Sequence, residues 1–321
     1  MSAVPTQSNP SFSSWFRAIT ENISQVVHGK PEAIELAVMC LLAEGHLLIE
    51  DVPGVGKTSL AKAMAASIDC TWKRVQFTPD LLPTDLVGVS VYQRSDETFV
   101  FQRGPVFANI LLADEINRAS PKTQSALLEA MEERQVSAEG TTHRLPAPFM
   151  VVATQNPVEQ EGTYRLPESQ LDRFLMRISL GYPSREAELE ILDTNGSREA
   201  VDKLAHVVSA ADIRAMVDAV KTVHLAGALK HYLVDLAEAS RRHSGLLLGL
   251  SPRATLQLAR ATRAAAAARG RDYATPDDVK IVAEPVLAHR LSIRPDAAGR
   301  GLTHEIAVAE VLASVKVPTG R

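Results

Sequence analysis

Two cysteines, Cys40 and Cys70, are too few for a disulfide framework, and they do not share a Cys-x-x-Cys spacing. That usage fits the reducing cytoplasm, with both thiols as packing residues. None of the nine histidines pairs with another at zinc spacing, and His304-Glu305 has no second histidine to complete a zinc-protease helix. Positive charge is not in excess either: 34 Lys and Arg stand against 38 Asp and Glu, a net charge of −4, so the broad basic field of a nucleic-acid binder is missing. No apolar run approaches the ~20 residues of a membrane-spanning helix. The chain lacks an Asn-Lys-x-Asp guanine signature, an internal repeat and a low-complexity linker. Met1 to Ser14 has neither the charged start nor the apolar stretch of a secretion signal, and its Ser, Pro, Thr and Asn content predicts a disordered tail over 1–14.

What remains can bury a large core. With 321 residues and 45% hydrophobic content the chain is expected to divide in two, since single domains run to ~100–200 residues. Trp15 to Ala43 reads as helix, with Pro31 opening a second piece after Gly29 and Lys30. Short apolar runs then alternate with helical patterns. His46 to Glu50, Asn109 to Ala113 and Phe149 to Ala153 look like buried parallel strands, and Ser120 to Arg134 carries Ala126, Leu127, Ala130 and Met131 on one helical side. This alternation predicts an α/β fold, an αβα parallel-sheet unit over 15–190. Around Pro183 to Glu186 the pattern changes, and 191–321 shows helical spacing without convincing strands. Ile213, Met216, Val217 and Val220 repeat as on a helix face, Thr255 to Ala268 is Ala-rich and stops at Gly270, and Thr275-Pro276-Asp277-Asp278 is a helix cap. The second unit is expected to be all-helical and close-packed against the first.

The chemistry gathers at the ends of the predicted strands. Asp51-Val52-Pro53-Gly54-Val55-Gly56-Lys57-Thr58, followed by Ser59 and the helix formers Leu60 to Ala66, has the strand–loop–helix context of a phosphate-binding loop. Gly54 and Gly56 let backbone N–H groups turn toward an anion, the helix start adds its positive end, and Lys57 brings a full charge to the outer phosphates. The Thr58 hydroxyl suits magnesium. Asp51 stands where the strict pattern has glycine. Ile110 to Ala113 delivers Asp114-Glu115, which by themselves could be a solvated strand end. Paired with the loop, Asp114 becomes a magnesium holder and Glu115 a general base for the attacking water. At the end of the third run, Asn156 is either a turn residue before Pro157 or an uncharged group that orients the water.

Several ordered motifs together resemble the AAA+ ATPases, and more closely their MoxR family. They are Glu50 to Thr58, Asp114-Glu115-Ile116-Asn117-Arg118-Ala119, Ala153-Thr154-Gln155-Asn156-Pro157, Leu166 to Phe174 and Ser251-Pro252-Arg253-Ala254. The resemblance spans nearly everything from Trp15 onward. It implies ATP and magnesium as cofactors, an αβα core with a helical lid, and a homo-oligomeric ring, usually a hexamer, with ATP between subunits. It also implies chaperone-like work on proteins bearing von Willebrand factor A domains. By the same likeness Arg173 is an arginine finger for a neighbour's terminal phosphate, and Arg253 is the lid's nucleotide-sensing arginine, acting within its own subunit or across the interface. Gly88 to Val106 and Gln135 to Leu145, the latter turning at Glu139-Gly140, read as β-hairpins like the insertions of the family's helix-2-insert branch.

Two other motor readings remain, a magnesium-chelatase-like subunit and a DNA-associated motor. For the second, the basic run Arg260, Arg263, Arg269 and Arg271 sits among alanines without interleaved aromatics, as a solvated helix face does. A binding module that does not hydrolyse would leave Glu115 and Arg173 without a purpose.

Overall fold

The computed structural model describes residues 11–138, 140–156, 164, 166–193, 201 and 203–318. The chain opens with α1 (Phe12–Ser24) and α2 (Pro31–Leu42). Helix α1 starts before the expected Trp15 because the Ser11 hydroxyl accepts from Ser14 N, capping the first turn. The predicted tail thus gives way to helix at Phe12, and 1–10 lie outside the described residues.

Next come β1 (Leu47–Glu50), α3 (Lys57–Ser67), β2 (Ile68–Asp69), β3 (Trp72–Gln76), α4 (Pro83–Val87), β4 (Gly88–Gln93), β5 (Thr98–Arg103) and β6 (Ile110–Asp114). They are followed by α5 (Pro121–Glu133), β7 (Gln135–Ala138), β8 (Thr141–Arg144), β9 (Met150–Gln155), α6 (Glu168–Leu171), β10 (Met176–Ile178) and α7 (Arg185–Asp193). Five of these strands form a parallel sheet in the order β10-β1-β9-β6-β3. The three predicted runs are its three central strands. Both edge strands went unread: β3 is largely exposed and β10 is only three residues long.

Alternation along the strands sorts the core into two layers. Leu47, Ile49, Ile110, Leu112, Met150 and Val152 face α1, α2 and α3. Leu48, Leu111, Ala113, Val151 and Ala153 face Leu127, Leu128 and Met131 of α5. His46 fastens the base of the sheet. Its ring accepts from Val151 N at Nδ1 (2.9 Å), and Nε2 lies 3.1 Å from Met131 O, so the ring is neutral and donates there. Burial, with Arg134 nearby, pushes its pKa down to about 3.

The C-terminal part holds β11 (Val208–Ser209), α8 (Ala210–Thr222), α9 (Gly227–Arg242), β12 (Leu246–Leu248), α10 (Pro252–Ala268), α11 (Pro276–Leu287), β13 (Ser292–Ile293), α12 (Pro295–Ala298) and α13 (His304–Ser314). The expectation of helices alone is corrected in one respect. β11 pairs with β2 of the first unit, and β12 pairs with β13, each too short to leave a strand pattern. Close packing is explained by alanine. Ala254, Ala261 and Ala264 to Ala267 are buried on α10, and their small side chains let it approach α11, α2 and α1, so one apolar core runs through both units. The Thr275 cap is a capping box with Asp278, whose buried carboxylate also takes Arg271 at 2.5 Å. Among the described residues, no helix is long and apolar enough to cross a membrane.

Candidate nucleotide site

The loop between β1 and α3 is shaped by two glycines with positive φ, Gly54 (+89°) and Gly56 (+96°). A Cβ at either would meet nothing within 4 Å, so glycine is required there for its backbone conformation and not for want of space. Asp51 anchors the loop from below. Its Oδ2 accepts from Ser179 Oγ (2.8 Å), Leu180 N (2.7 Å) and Gly181 N (2.6 Å), and its Oδ1 accepts from Val52 N (2.8 Å). Burial raises the acid's pKa, but these donors outweigh it and hold the carboxyl below its usual value. Asp51 was expected among the nucleotide-binding residues. The structure turns its side chain toward the irregular segment that follows β10, where it would not oppose a phosphate, and leaves its backbone on the loop. Lys57 donates to Asp51 O and to Gln155 O (3.2 Å), so its ammonium already sits where the ends of β1 and β9 meet. Burial lowers its pKa against the pull of Asp51, Asp114 and Glu115.

Asp114 closes β6, and each of its oxygens is engaged. Oδ1 accepts from Thr154 Oγ1 (2.8 Å), while Oδ2 accepts from Arg74 Nε (2.8 Å) and Nη2 (2.7 Å) and faces Thr58 Oγ1 at 3.4 Å. Glu115 leaves the strand in the left-handed region, φ 55° and ψ 53°, rare for a residue with a side chain and held by its N–H donating to Thr154 Oγ1 (2.9 Å). Its Oε2 accepts from Gln76 Nε2 (3.1 Å) and Arg118 Nη1 (2.9 Å). Asn156 follows β9, and its carbonyl is 3.5 Å from Asn117 Nδ2. Residues of three strands and one loop therefore converge, as expected of ligand sites at the carboxyl ends of a parallel sheet. Thr154 and Arg118 stood in the quoted motifs without a role, and Arg74 and Gln76 were not foreseen. Thr154, ending an apolar run, was the one with a readable signal.

Arg173 and Arg253 form their ion pairs elsewhere, with Glu132 and Asp172. They meet each other instead: Glu132 of α5 takes Arg173 Nε at 2.9 Å and Arg253 Nη1 at 2.8 Å, and Arg253 Nε is 3.6 Å from Asp172. Burial raises the Glu132 pKa, but the two arginines bring it below the usual carboxylate value. Behind them lies Arg290, whose side chain is 2% exposed; it binds Asp172 Oδ1 at 2.8 Å and donates to the carbonyls of Asp172, Phe174, Leu175 and Val286.

A cavity of about 600 Å³, in the size range of small-molecule sites, lies beside the segment after β10 that anchors Asp51. It is lined by Lys30, Pro31, Ile178, Leu180 and Pro285 among others, and shares Ser179 and Leu180 with the Asp51 anchor. Sequence reading missed it because α2, β10 and α11 contribute from three distant stretches. The two predicted hairpins are present as β4–β5 and β7–β8, with Glu139 of the second turn outside the described residues. Of the basic run, Arg263 and Arg269 donate to backbone carbonyls, and Arg271 is paired with Asp278.

A family model described as the ATPase family associated with various cellular activities (AAA) matches residues 46–176, and one for the AAA lid domain matches residues 238–311. Among curated proteins, the chain is 46% identical over 301 residues to YeaC of Bacillus subtilis, covering 94% of each. It is 43% identical to the chaperone MoxR1 of Mycobacterium tuberculosis, covering 94% of this chain and 82% of that one. It is also 33% identical to the MoxR protein of Paracoccus denitrificans, covering 87% and 89%. A crystal structure of a candidate ATPase from Cytophaga hutchinsonii superposes with a TM-score of 0.88 at 37% identity, covering 96% of each chain.

Proposed function

Because the chain belongs to the MoxR family of AAA+ ATPases, we propose that it binds ATP with magnesium at the β1–α3 loop and couples hydrolysis to remodelling of protein partners. The observation that carries the chemistry is the convergence of Lys57, Thr58, Asp114 and Glu115 at the ends of β1, β6 and β9. The donor set fits the ion: a hydroxyl and a carboxylate oxygen are hard ligands, and magnesium needs only one or two such side chains when phosphates and water complete its shell. The left-handed glycines fit the polyphosphate, since Gly54, Val55 and Gly56 can direct backbone N–H groups inward ahead of the α3 N-terminus. In this reading the adenosine part enters the cavity that shares Ser179 and Leu180 with the Asp51 anchor.

In this reading Lys57 and Ser59 hold phosphate, Val52 and Pro53 shape the loop, and Thr58 with Asp114 holds the metal, which would offset the charge that spreads over the phosphoryl group. Glu115 takes the proton of the attacking water, once Gln76 and Arg118 release its carboxylate. Asn156 orients that water from the end of β9. Arg173 and Arg253 act together on a neighbouring subunit's nucleotide in a ring, a hexamer by family likeness. Their shared tie to Glu132 supports placing them on one face and favours action across the interface for both. The clients are proteins, with von Willebrand factor A domain proteins as the class the family suggests, and the name of MoxR1 as a chaperone is in keeping with that. The intramolecular bonds of Arg263, Arg269 and Arg271 speak against the DNA-motor alternative.

Glu115→Gln tests this. The variant should keep fluorescent ATP bound in magnesium while phosphate release falls at least about a hundredfold, and proteins trapped on it identify clients. Ordinary turnover by the variant removes Glu115 as the base. Absence of magnesium-dependent nucleotide binding by the wild type removes the whole reading.

A further inference from the structure

Arg74 has no part in the chemistry above, yet it makes the closest charged contact of Asp114. It sits on β3, the sheet edge next to β6, paired in register with Leu112 while Gln76 pairs with Asp114. Alternation puts Arg74 and Gln76 on one side of the strand, and Val75, on the other, packs into the α5-facing core. The strand thus delivers two long polar side chains to the two acids, Arg74 to Asp114 and Gln76 to Glu115. Arg74 bonds through both Nε and Nη2, and both fall on a single oxygen, Oδ2.

That oxygen is also the one facing the Thr58 hydroxyl, while Oδ1 is taken by Thr154. A divalent ion held jointly by Thr58 and Asp114 must use the Oδ2 side. It cannot share that oxygen at contact distance with a guanidinium, because the two positive charges would repel at close range. Exposure of the partners is unequal: the Arg74 side chain is 45% exposed and that of Asp114 only 8%. A buried carboxylate needs a cation, whereas an arginine at an open sheet edge can turn into water at small cost.

We propose that Arg74 is the resting counter-ion of Asp114, competing with the metal for Oδ2 and so setting the magnesium concentration at which nucleotide is held. The inference rests on the magnesium–ATP reading of this site. Two consequences follow for the chain's own residues. Before the metal arrives, Arg74 screens Asp114 from the incoming phosphates. Once the metal is bound, Arg74 is free of Asp114 and no longer contributes to holding the acid.

The test measures binding and not turnover. A fluorescent ATP analogue is titrated with magnesium, and separately in excess chelator, for the full-length wild type, Arg74→Ala and Arg74→Lys. Thermal unfolding confirms that each variant is folded. In Arg74→Ala the magnesium midpoint should fall about three- to tenfold. Metal-free affinity should drop as well, since Asp114 is then unscreened. Arg74→Lys keeps the charge without the two-pronged contact and should lie between. An unchanged or raised midpoint in Arg74→Ala overturns the proposal, as does weaker binding at saturating magnesium, which would make Arg74 a phosphate ligand. If the wild type shows no magnesium-dependent binding, the nucleotide reading falls first and this inference with it.

Discussion

The two polar centres of this molecule are built on different plans. At the loop side, backbone does most of the work: two left-handed glycines, the α3 N-terminus, and the strand-end carbonyls of Asp51 and Gln155 that place Lys57. At the other centre, side chains hold side chains, with Glu132 and Asp172 engaged by Arg173, Arg253 and Arg290. The first is shaped to receive an anion. The second ties three arginines to two acids of its own, so Arg173 and Arg253 would serve a nucleotide by exchanging Glu132 for it. Under the proposed function such a centre would respond to a neighbour's phosphate, while the loop is already shaped in the lone chain.

The sharpest way to break this contrast is Arg173→Ala. If the finger works across subunits, turnover in assembled protein should fall about a thousandfold or more while nucleotide binding persists. Mixing it with Lys57→Ala should restore part of the activity, and no recovery in assembled mixtures would return Arg173 to a structural role. Next is Arg290→Met, which leaves Asp172 and several carbonyls without their donor. A loss of about 3 kcal/mol in chemical denaturation is expected, as for other buried pairs broken from one side, with the loop's nucleotide affinity retained. A small loss would mean that the second centre is not held together from beneath.

The smallest effect concerns the base of the sheet. The folded-state pKa of His46 is lowered to about 3, so its neutral form contributes stability in full above the unfolded value near 6.5, and that contribution is lost as pH falls toward 3. Between pH 6.5 and 5 this amounts to about 2 kcal/mol. His46→Gln should flatten that limb of the unfolding free energy, and an equal slope in both proteins would contradict the assignment.

Legibility followed the same division. Asp51 to Thr58 is contiguous, so its glycines, lysine and threonine declare a loop before any fold is known. The central strands are buried on both faces and read as apolar runs. Trp72 to Gln76 does not, because an edge strand need not be apolar, and with it Arg74 and Gln76 were lost from view. The Arg173 centre joins residues 132, 172, 173, 253 and 290, and no local pattern announces a meeting of that kind. The left-handed Glu115 was also hidden, since its conformation depends on Thr154, a residue of another strand. For Asp51 the position on the loop could be read, but not the direction of its carboxylate, which three donors after β10 decide.

The charged edge of the sheet has one more consequence. An uncovered strand offers unpaired backbone groups to any passing chain and can seed fibrous association. Here Lys73 and Arg74 stand on β3, the strand with the open side, while the opposite rim, β10, is only three residues long. Charge on one rim and brevity on the other thereby guard both edges against annealing to a passing chain.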